Sequence, residues 1–168
     1  MNEIINKVSD SGLISLDLEE FYPKDSDIAL FDFTDYLFMG LILKEKDFRT
    51  ALQNLDLSLF QNKYVAVTCT NDAIIPMWAN MLVVSTLKSS SKSIFFGNLN
   101  SVKEAILLSN INKIDASQYL DKRIVVKGCG DLQIPESAYI AITSLLLPFV
   151  KSIMYGEPCS TVPVYKKK

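Results

Sequence analysis

The fold is decided by Tyr64-Val65-Ala66-Val67-Thr68-Cys69, a short run of β-branched and apolar residues that is followed by the amphipathic segment 76–87. The run predicts a buried strand and the segment predicts a helix. The same order continues downstream, with predicted strands at 93–96 and 123–127. Strands that alternate with helices are typical of βα units on a mostly parallel sheet.

The first sixty residues carry a different pattern. Segments 13–18 and 28–33 alternate apolar and polar residues by twos, and a turn-forming segment with Pro23 joins them. Two such segments predict an antiparallel β addition at the N-terminus. The expected fold is therefore α/β, with three αβα layers, a mostly parallel sheet and this N-terminal antiparallel addition. No internal repeat is apparent, and the 168 residues are interpreted as a single domain, 1–168.

Charge and hydropathy exclude several classes of partner. Seventeen basic and nineteen acidic side chains leave a net charge of -2, so no field favours nucleic acid or an anionic membrane. The start of the chain lacks the pattern of a signal peptide, and the apolar stretch 138–150 is shorter than the ~20 residues that span a bilayer. We therefore expect a cytoplasmic protein that binds neither nucleic acid nor membrane.

Three cysteines in a chain without histidine are the main functional lead. Cys69, Cys129 and Cys159 each lie in a turn-like setting and not inside an apolar run. If the first crossover is followed by one that returns, the strands before Cys69 and Cys129 become neighbours, and both thiols lie at the carboxyl end of the sheet. The stiff segment 156–163 is expected to cross that end and to add Cys159.

Carboxylates complete the predicted metal site. Asp72 and Asp131 follow their cysteines closely, and Glu157 precedes Cys159. Thiolate and carboxylate ligands suit an iron-sulfur cluster, iron or zinc. For each aspartate, capping of the next helix is the alternative interpretation. The absence of histidine excludes Cys-His and Ser-His nucleophiles, and no catalytic residue is assigned, so enzyme activity is left open.

Two further functions are left open beside the metal site. One is a thiol protein in which a cysteine, activated by Lys127, accepts sulfur or exchanges disulfides. The other is a non-catalytic interaction module whose free cysteines are buried.

Four runs of sequence resemble an uncharacterised bacterial domain-of-unknown-function family over nearly the whole chain. The runs are 16–23, 43–49, Val126-Lys127-Gly128-Cys129-Gly130-Asp131 and 155–163. The resemblance implies a small cytoplasmic bacterial protein encoded near iron-sulfur assembly components, which are the expected partners. It assigns no activity to individual residues, and a homo-oligomer is left open.

Overall fold

The computed structural model describes residues 12–128 and 130–168. These residues group into two compact units. Residues 23–105 form the inserted unit, and residues 12–22 and 106–168, on either side of it in the chain, form the flanking unit. The interpretation of the chain as one domain stays a prediction.

Strands and α-helices alternate along most of the described chain. In order they are β1 (Leu13–Asp17), β2 (Ile28–Asp32), α1 (Glu45–Gln53), β3 (Tyr64–Thr68), α2 (Met77–Leu87), β4 (Ser93–Phe96), α3 (Leu99–Ile111), β5 (Arg123–Lys127), α4 (Glu136–Leu146), β6 (Ser152–Glu157) and β7 (Ser160–Lys166). Short 3-10 helices follow β1 and β2, and two more precede β3 and β5.

Each unit holds its own sheet. The inserted unit has the parallel order β2-β3-β4, and the flanking unit has the order β1-β5-β6-β7. The latter is parallel except for the final pair, in which β7 runs antiparallel to β6. The α/β prediction with mostly parallel strands is confirmed, and the three-layer arrangement stays a prediction.

The predicted N-terminal antiparallel addition is wrong. β1 and β2 lie in different sheets, where they pair in parallel with β5 and β3. Alternation by twos reports that one face of a strand is buried, but it does not report the direction of the partner strand. Among the strands that the structure describes, β6 and β7 form the antiparallel pair.

The two units are built on one repeated pattern. The strand β3, the helix α2 and the start of β4 correspond to β5, α4 and the start of β6 at a constant spacing of 59 residues, from 64 to 123, 77 to 136 and 93 to 152. β1 and β2 correspond at a spacing of 15, from 13 to 28. The strand pairings match as well, because β1-β5-β6 repeats the order and direction of β2-β3-β4. The chain therefore contains a nested internal duplication, which corrects the expectation of no repeat.

Backbone details support the same correspondence. Asn62 and Asp121, which stand at the repeated spacing, both have positive φ, at 57° and 53°. In each unit a lysine amide after the second helix donates to a lysine carbonyl before the central strand. These bonds run from Lys92 to Lys63 and from Lys151 to Lys122, both at 2.8 Å. Such local features are specific to one backbone path, so the match extends beyond strand order.

The core of each unit uses matched positions. In the inserted unit the buried cluster includes Phe31, Phe48, Val65, Val83 and Leu87. In the flanking unit the corresponding residues are buried too, and they are Leu16, Leu107, Ile124, Ile142 and Leu146. Aliphatic side chains thus replace the aromatic ones of the inserted unit at two of these positions. Each strand and helix forms because it buries this face.

Within the described residues, no helix is both long enough and apolar enough to cross a membrane. The cytoplasmic location stays a prediction.

Candidate functional site

The predicted metal site fails on the strand order. β3, which precedes Cys69, pairs with β2 and β4, whereas β5, which precedes position 129, pairs with β1 and β6. The crossover helix α2 leads from β3 to a strand of its own sheet, so the two strands never become neighbours. Cys129 itself lies outside the described residues.

No alternative grouping rescues that site. Among residues 12–128 and 130–168, no set of three or more cysteine, aspartate or glutamate side chains could hold a metal ion. The prediction of a three-cysteine metal or iron-sulfur protein is therefore wrong. The expected cofactors, an iron-sulfur cluster, iron or zinc, stay predictions that have no ligand set in this part of the chain.

The other predicted ligands are separated or exposed. Asp72 and Asp131 are exposed in bends, and the N-cap residues of the helices that follow are Pro76 and Pro135, which make no side-chain cap. Capping by these aspartates is therefore wrong as well. Cys69 is a free, half-buried thiol whose Sγ donates to the Asn71 carbonyl at 3.3 Å.

The C-terminal segment does not cross the sheet end. Glu157 pairs with Ser160, so Pro158 and Cys159 form the two-residue turn between β6 and β7. Cys159 is an exposed free thiol there. The expected docking of 156–163 across the strands is wrong, because β7 satisfies its backbone groups by pairing alongside β6. Free cysteines that are exposed or half-buried also argue against a module with buried thiols.

A hydrogen-bond network fixes the loop after β3 in the inserted unit. Oδ1 of Asp32, at the end of β2, accepts bonds from the backbone amides of Thr34 at 2.9 Å and Thr70 at 3.1 Å. Its Oδ2 accepts the Thr70 hydroxyl at 2.7 Å. Burial raises the pKa of Asp32, but the bonds from Thr34 and Thr70 outweigh it, and the net pKa lies below the ordinary value of 3.8. The charged carboxylate therefore holds the loop in place.

Asn71 adds a second anchor to this loop. Its amide donates to Thr34 Oγ1 at 3.1 Å, and its side-chain Nδ2 donates to the Gly40 carbonyl at 3.1 Å. Both Asp32 and Asn71 thus tie the loop to the segment after β2. A loop anchored in this way can form a stable wall of a site.

Beside this loop lies an open crevice of about 810 Å³ at the carboxyl end of the sheet. Carboxyl ends of parallel strands are the usual place for ligands in open α/β sheets. The crevice lies between the loop after β3, the start of α2 and the loop after β4. Its lining residues are Thr68, Cys69, Asn71, Ala73, Ile75, Met77, Asn80, Phe96, Gly97 and Asn98.

The lining of the crevice is apolar or neutral. The described residues that form it include no aspartate, glutamate, lysine or arginine. Met77 is 79% exposed and Phe96 is 74% exposed, so two large apolar side chains face solvent there. Exposed apolar surface beside a cavity is typical of a ligand site.

Asn80 supplies the unusual polar feature of the crevice. Its Oδ1 is buried and has no hydrogen-bond partner among the described residues. A buried carbonyl oxygen without a donor costs about 1–3 kcal/mol. The Asn80 side chain lines the crevice, but this oxygen itself is closed off from solvent.

The matched place in the flanking unit is filled by a side chain. Tyr139 stands where the inserted unit has Asn80, and its hydroxyl donates to the Gly128 carbonyl at 3.0 Å. Its ring meets that of Tyr155 edge to face, with centroids 5.7 Å apart. A Cβ atom at Gly128 would lie 2.7 Å from the Tyr139 hydroxyl, so only glycine leaves room for it. The tyrosine therefore depends on a glycine at position 128, whereas the inserted unit has Asn80 and Cys69, both with side chains, at the two matched positions.

The flanking unit also differs in charge. Lys127 Nζ and Asp17 Oδ2 form an ion pair at 3.1 Å across β5 and β1. The hydrogen bond to Asp17 and its charge, with further charge from Glu157 and Glu19, raise the pKa of Lys127 above its ordinary value. The inserted unit has Thr68 in the place of Lys127. Of the two sheet ends, the crevice of the inserted unit is therefore the one without a charged lining residue.

Sequence reasoning missed Asn80, Met77 and Gly97 as site residues. The signal that could have found them is the repeat at 59-residue spacing, which aligns Pro76 with Pro135 and Gly97 with Gly156 without a gap. Alignment of the two halves places Asn80 opposite Tyr139. A short polar residue opposite a large aromatic one predicts a cavity in one unit only.

Comparisons with known proteins bear on the family and not on the activity. A search of curated proteins gives no significant match, and a search of solved structures gives none. A family model described as a protein of unknown function, DUF2480, matches residues 2–167. Because the match spans nearly the whole sequence, this chain belongs to the DUF2480 family of proteins of unknown function.

Proposed function

We propose that the inserted unit is a binding module for a small, neutral organic molecule. The observation that carries the proposal is the open, uncharged crevice at the carboxyl end of β3 and β4, which the side chain of Asn80 helps to line. Its volume of about 810 Å³ falls in the range of ~300–1,000 Å³ that small-molecule sites occupy.

The chemistry of the lining supports a neutral ligand. A charged group placed against Met77, Ile75 and Phe96 would lose hydration without gaining a counter-ion, and that loss is costly. A ligand with an apolar body loses little when it enters.

The rigidity of the loop after β3 supports binding as well. The bonds that Asp32 and Asn71 make hold residues 69–71 in place without a ligand. A site that is formed before binding loses less conformational entropy when its ligand arrives.

Three ring compounds of matched size test the proposal, namely benzamide, benzoate and benzylammonium. Each is titrated into the full ¹⁵N-labelled chain, and amide chemical shifts are recorded. We expect benzamide to shift the amides of Cys69, Gly97 and Asn98. The two charged compounds should bind at least about tenfold more weakly, because burial of an unpaired charge opposes them.

A charge placed in the crevice gives a sharper readout. Met77→Glu should weaken benzamide binding about tenfold or more without loss of folding, because the matched helix α4 begins with Glu136. Met81→Glu is the control, since Met81 is 72% exposed on the same helix but does not line the crevice. The proposal fails if benzamide leaves the crevice amides unshifted, or if both variants bind it as the wild type does.

A further inference from the structure

The flanking unit carries a cavity of its own, of about 390 Å³, at the amino ends of β5 and β6. Three of its lining residues are the cations Arg123, Lys151 and Lys166, and none of the described residues that line it is an aspartate or a glutamate. We propose that this cavity binds a small organic molecule through a phosphate monoester group. The inference does not depend on the crevice of the inserted unit.

The register of the sheet places two of the cations on either side of a hydroxyl group. Arg123 pairs with Ser152 across β5 and β6, and Ser152 pairs with Lys166 across β6 and β7. Partners in register point to the same face of a sheet, and neighbouring strands lie about 4.8 Å apart. The backbones of Arg123 and Lys166 are therefore about 10 Å apart, a distance from which two long side chains can reach one anion.

Backbone hydrogen bonds hold the third cation beside this row. The Lys151 amide donates to the Lys122 carbonyl at 2.8 Å, and the Lys151 carbonyl accepts a bond from the Lys167 amide at 2.9 Å. The nearby carboxylate of Asp121 already pairs with Lys167 Nζ, at 3.0 Å. The backbone thus keeps three like charges around one cavity, and their mutual repulsion favours an anion between them.

The matched place in the inserted unit has a different partner for its lysine. Lys92 corresponds to Lys151, and its Nζ lies 5.3 Å from the centroid of the Tyr64 ring. Such a contact is attractive, because the face of an aromatic ring is negative. Tyr64 corresponds to Arg123, so the flanking unit has a second cation where the inserted unit has the ring. A bound anion would restore the attraction that this difference removes.

The number of cations and the apolar part of the lining indicate the class of anion. A phosphate monoester carries a charge of about -1.5 to -2 at pH 7 and three strong acceptor oxygens, whereas a carboxylate or a phosphate diester carries a single charge. An arginine can hold a phosphate through two parallel N–H bonds. Met154 and Pro163 line the same cavity and offer apolar contact to the organic part of the ligand.

Three compounds test the charge and the organic part, namely phenyl phosphate, methyl phenyl phosphate and inorganic phosphate. Each is titrated into the full ¹⁵N-labelled chain at constant ionic strength and at about pH 7.5, above the second pKa of the monoester. Phenyl phosphate should shift the amides of Ser152 and Lys166. It should bind about tenfold more tightly than the singly charged diester, and more tightly than inorganic phosphate, which has no apolar part to contact Met154. Equal affinities for phenyl phosphate and its methyl ester would overturn the monoester assignment.

Variants of the lining cations test the position of the site. Arg123→Gln and Lys166→Gln should each weaken the binding of phenyl phosphate about tenfold, and so should Arg123→Tyr, which copies Tyr64 of the inserted unit. Lys122→Gln is the control, because it removes the same charge next to Arg123 at a residue outside the described lining, and it should change the affinity by less than about twofold. The inference is overturned if phenyl phosphate leaves the amides of Ser152 and Lys166 unshifted, or if Lys122→Gln weakens binding as much as Lys166→Gln does.

Discussion

The inserted and flanking units share the order of three strands, the length and spacing of α2 and α4 and a common turn geometry, and they differ in what lies at the carboxyl end of each sheet. In the flanking unit the Tyr139 hydroxyl donates to the Gly128 carbonyl there, and the Asp17–Lys127 ion pair borders that end. In the inserted unit the same end is an open, uncharged crevice with Asn80 in its wall. One backbone thus carries different side chains at its two sheet ends, and the end in the inserted unit is a candidate binding site.

This difference teaches where function can arise in a duplicated fold. The matched core positions keep large apolar residues in both units, since each sheet must bury its helices. The sheet ends lie outside these cores and are free to diverge. The matched pairs Asn80/Tyr139 and Cys69/Gly128 both differ there, so at least two side chains set the shape of each sheet end.

The largest expected effect is on the shared cores. Leu87→Ala and Leu146→Ala remove matched, fully buried side chains, and each should lower the free energy of unfolding by about 3 kcal/mol. Urea denaturation followed by circular dichroism measures both. If one variant lost about 3 kcal/mol of unfolding free energy and the other almost none, the two cores would not be equivalent.

A smaller effect is expected at the matched glycines after β4 and near the end of β6. Gly97 and Gly156 have φ of 140° and 118°, which side chains rarely adopt. Gly156→Ala should cost about 2 kcal/mol, because its Cβ would lie 2.6 Å from the Ser160 carbonyl oxygen. Gly97→Ala should cost about 1 kcal/mol, since the Ser101 hydroxyl that it meets can rotate away.

Thermal and urea unfolding of the two glycine variants test that order. The reverse order, with Gly97→Ala the more destabilised, would show that the loop after β4 is the more rigid of the two. It would also contradict the expectation that the Ser101 hydroxyl rotates away from a Cβ atom at position 97.

The smallest expected effect is a pH-dependent loss of stability caused by Asp32, which lies in the inserted unit. The folded-state pKa of Asp32 is lowered below 3.8, so its stabilising contribution is complete above that pH and is lost as the pH falls through the folded-state value. Asp32→Asn should therefore cost about 1 kcal/mol at neutral pH and almost nothing at about pH 2. Unfolding measured across this range checks it, with the exposed Asp72→Asn as control. A cost that stays constant with pH would mean that the charge of Asp32 does not hold the loop.

Part of this fold could be predicted from local pattern. The predicted strand 64–69 and helix 76–87, which follow from a β-branched run and helical spacing, match β3 at 64–68 and α2 at 77–87 to within one residue. The direction of β1 and β2 could not be predicted, because their partners come from distant parts of the chain. The turn at Cys159 could not be predicted for a similar reason, because the β6–β7 pairing and not the local prolines determines its position.

The candidate site was harder to predict, since its defining feature is space and not a reactive residue. Cys69 does line the crevice, but its role as a ligand depended on a neighbour strand that belongs to the other sheet. Asn80 carries no motif of its own. Only its match with Tyr139 across the duplication marks it, and that match depends on recognising a repeat with few identical residues.

A fourfold exchange, Asn80→Tyr and Cys69→Gly with Tyr139→Asn and Gly128→Cys, tests the central claim most directly. The claim is that the two sheet ends share one backbone and that the side chains at these two matched positions decide which end binds a small neutral molecule. Amide shifts on titration with benzamide should move from Gly97 and Asn98 in the wild type to Gly156 and Glu157 in the exchanged protein. Shifts that stay in the inserted unit after the exchange, or that already occur in both units of the wild type, would contradict it.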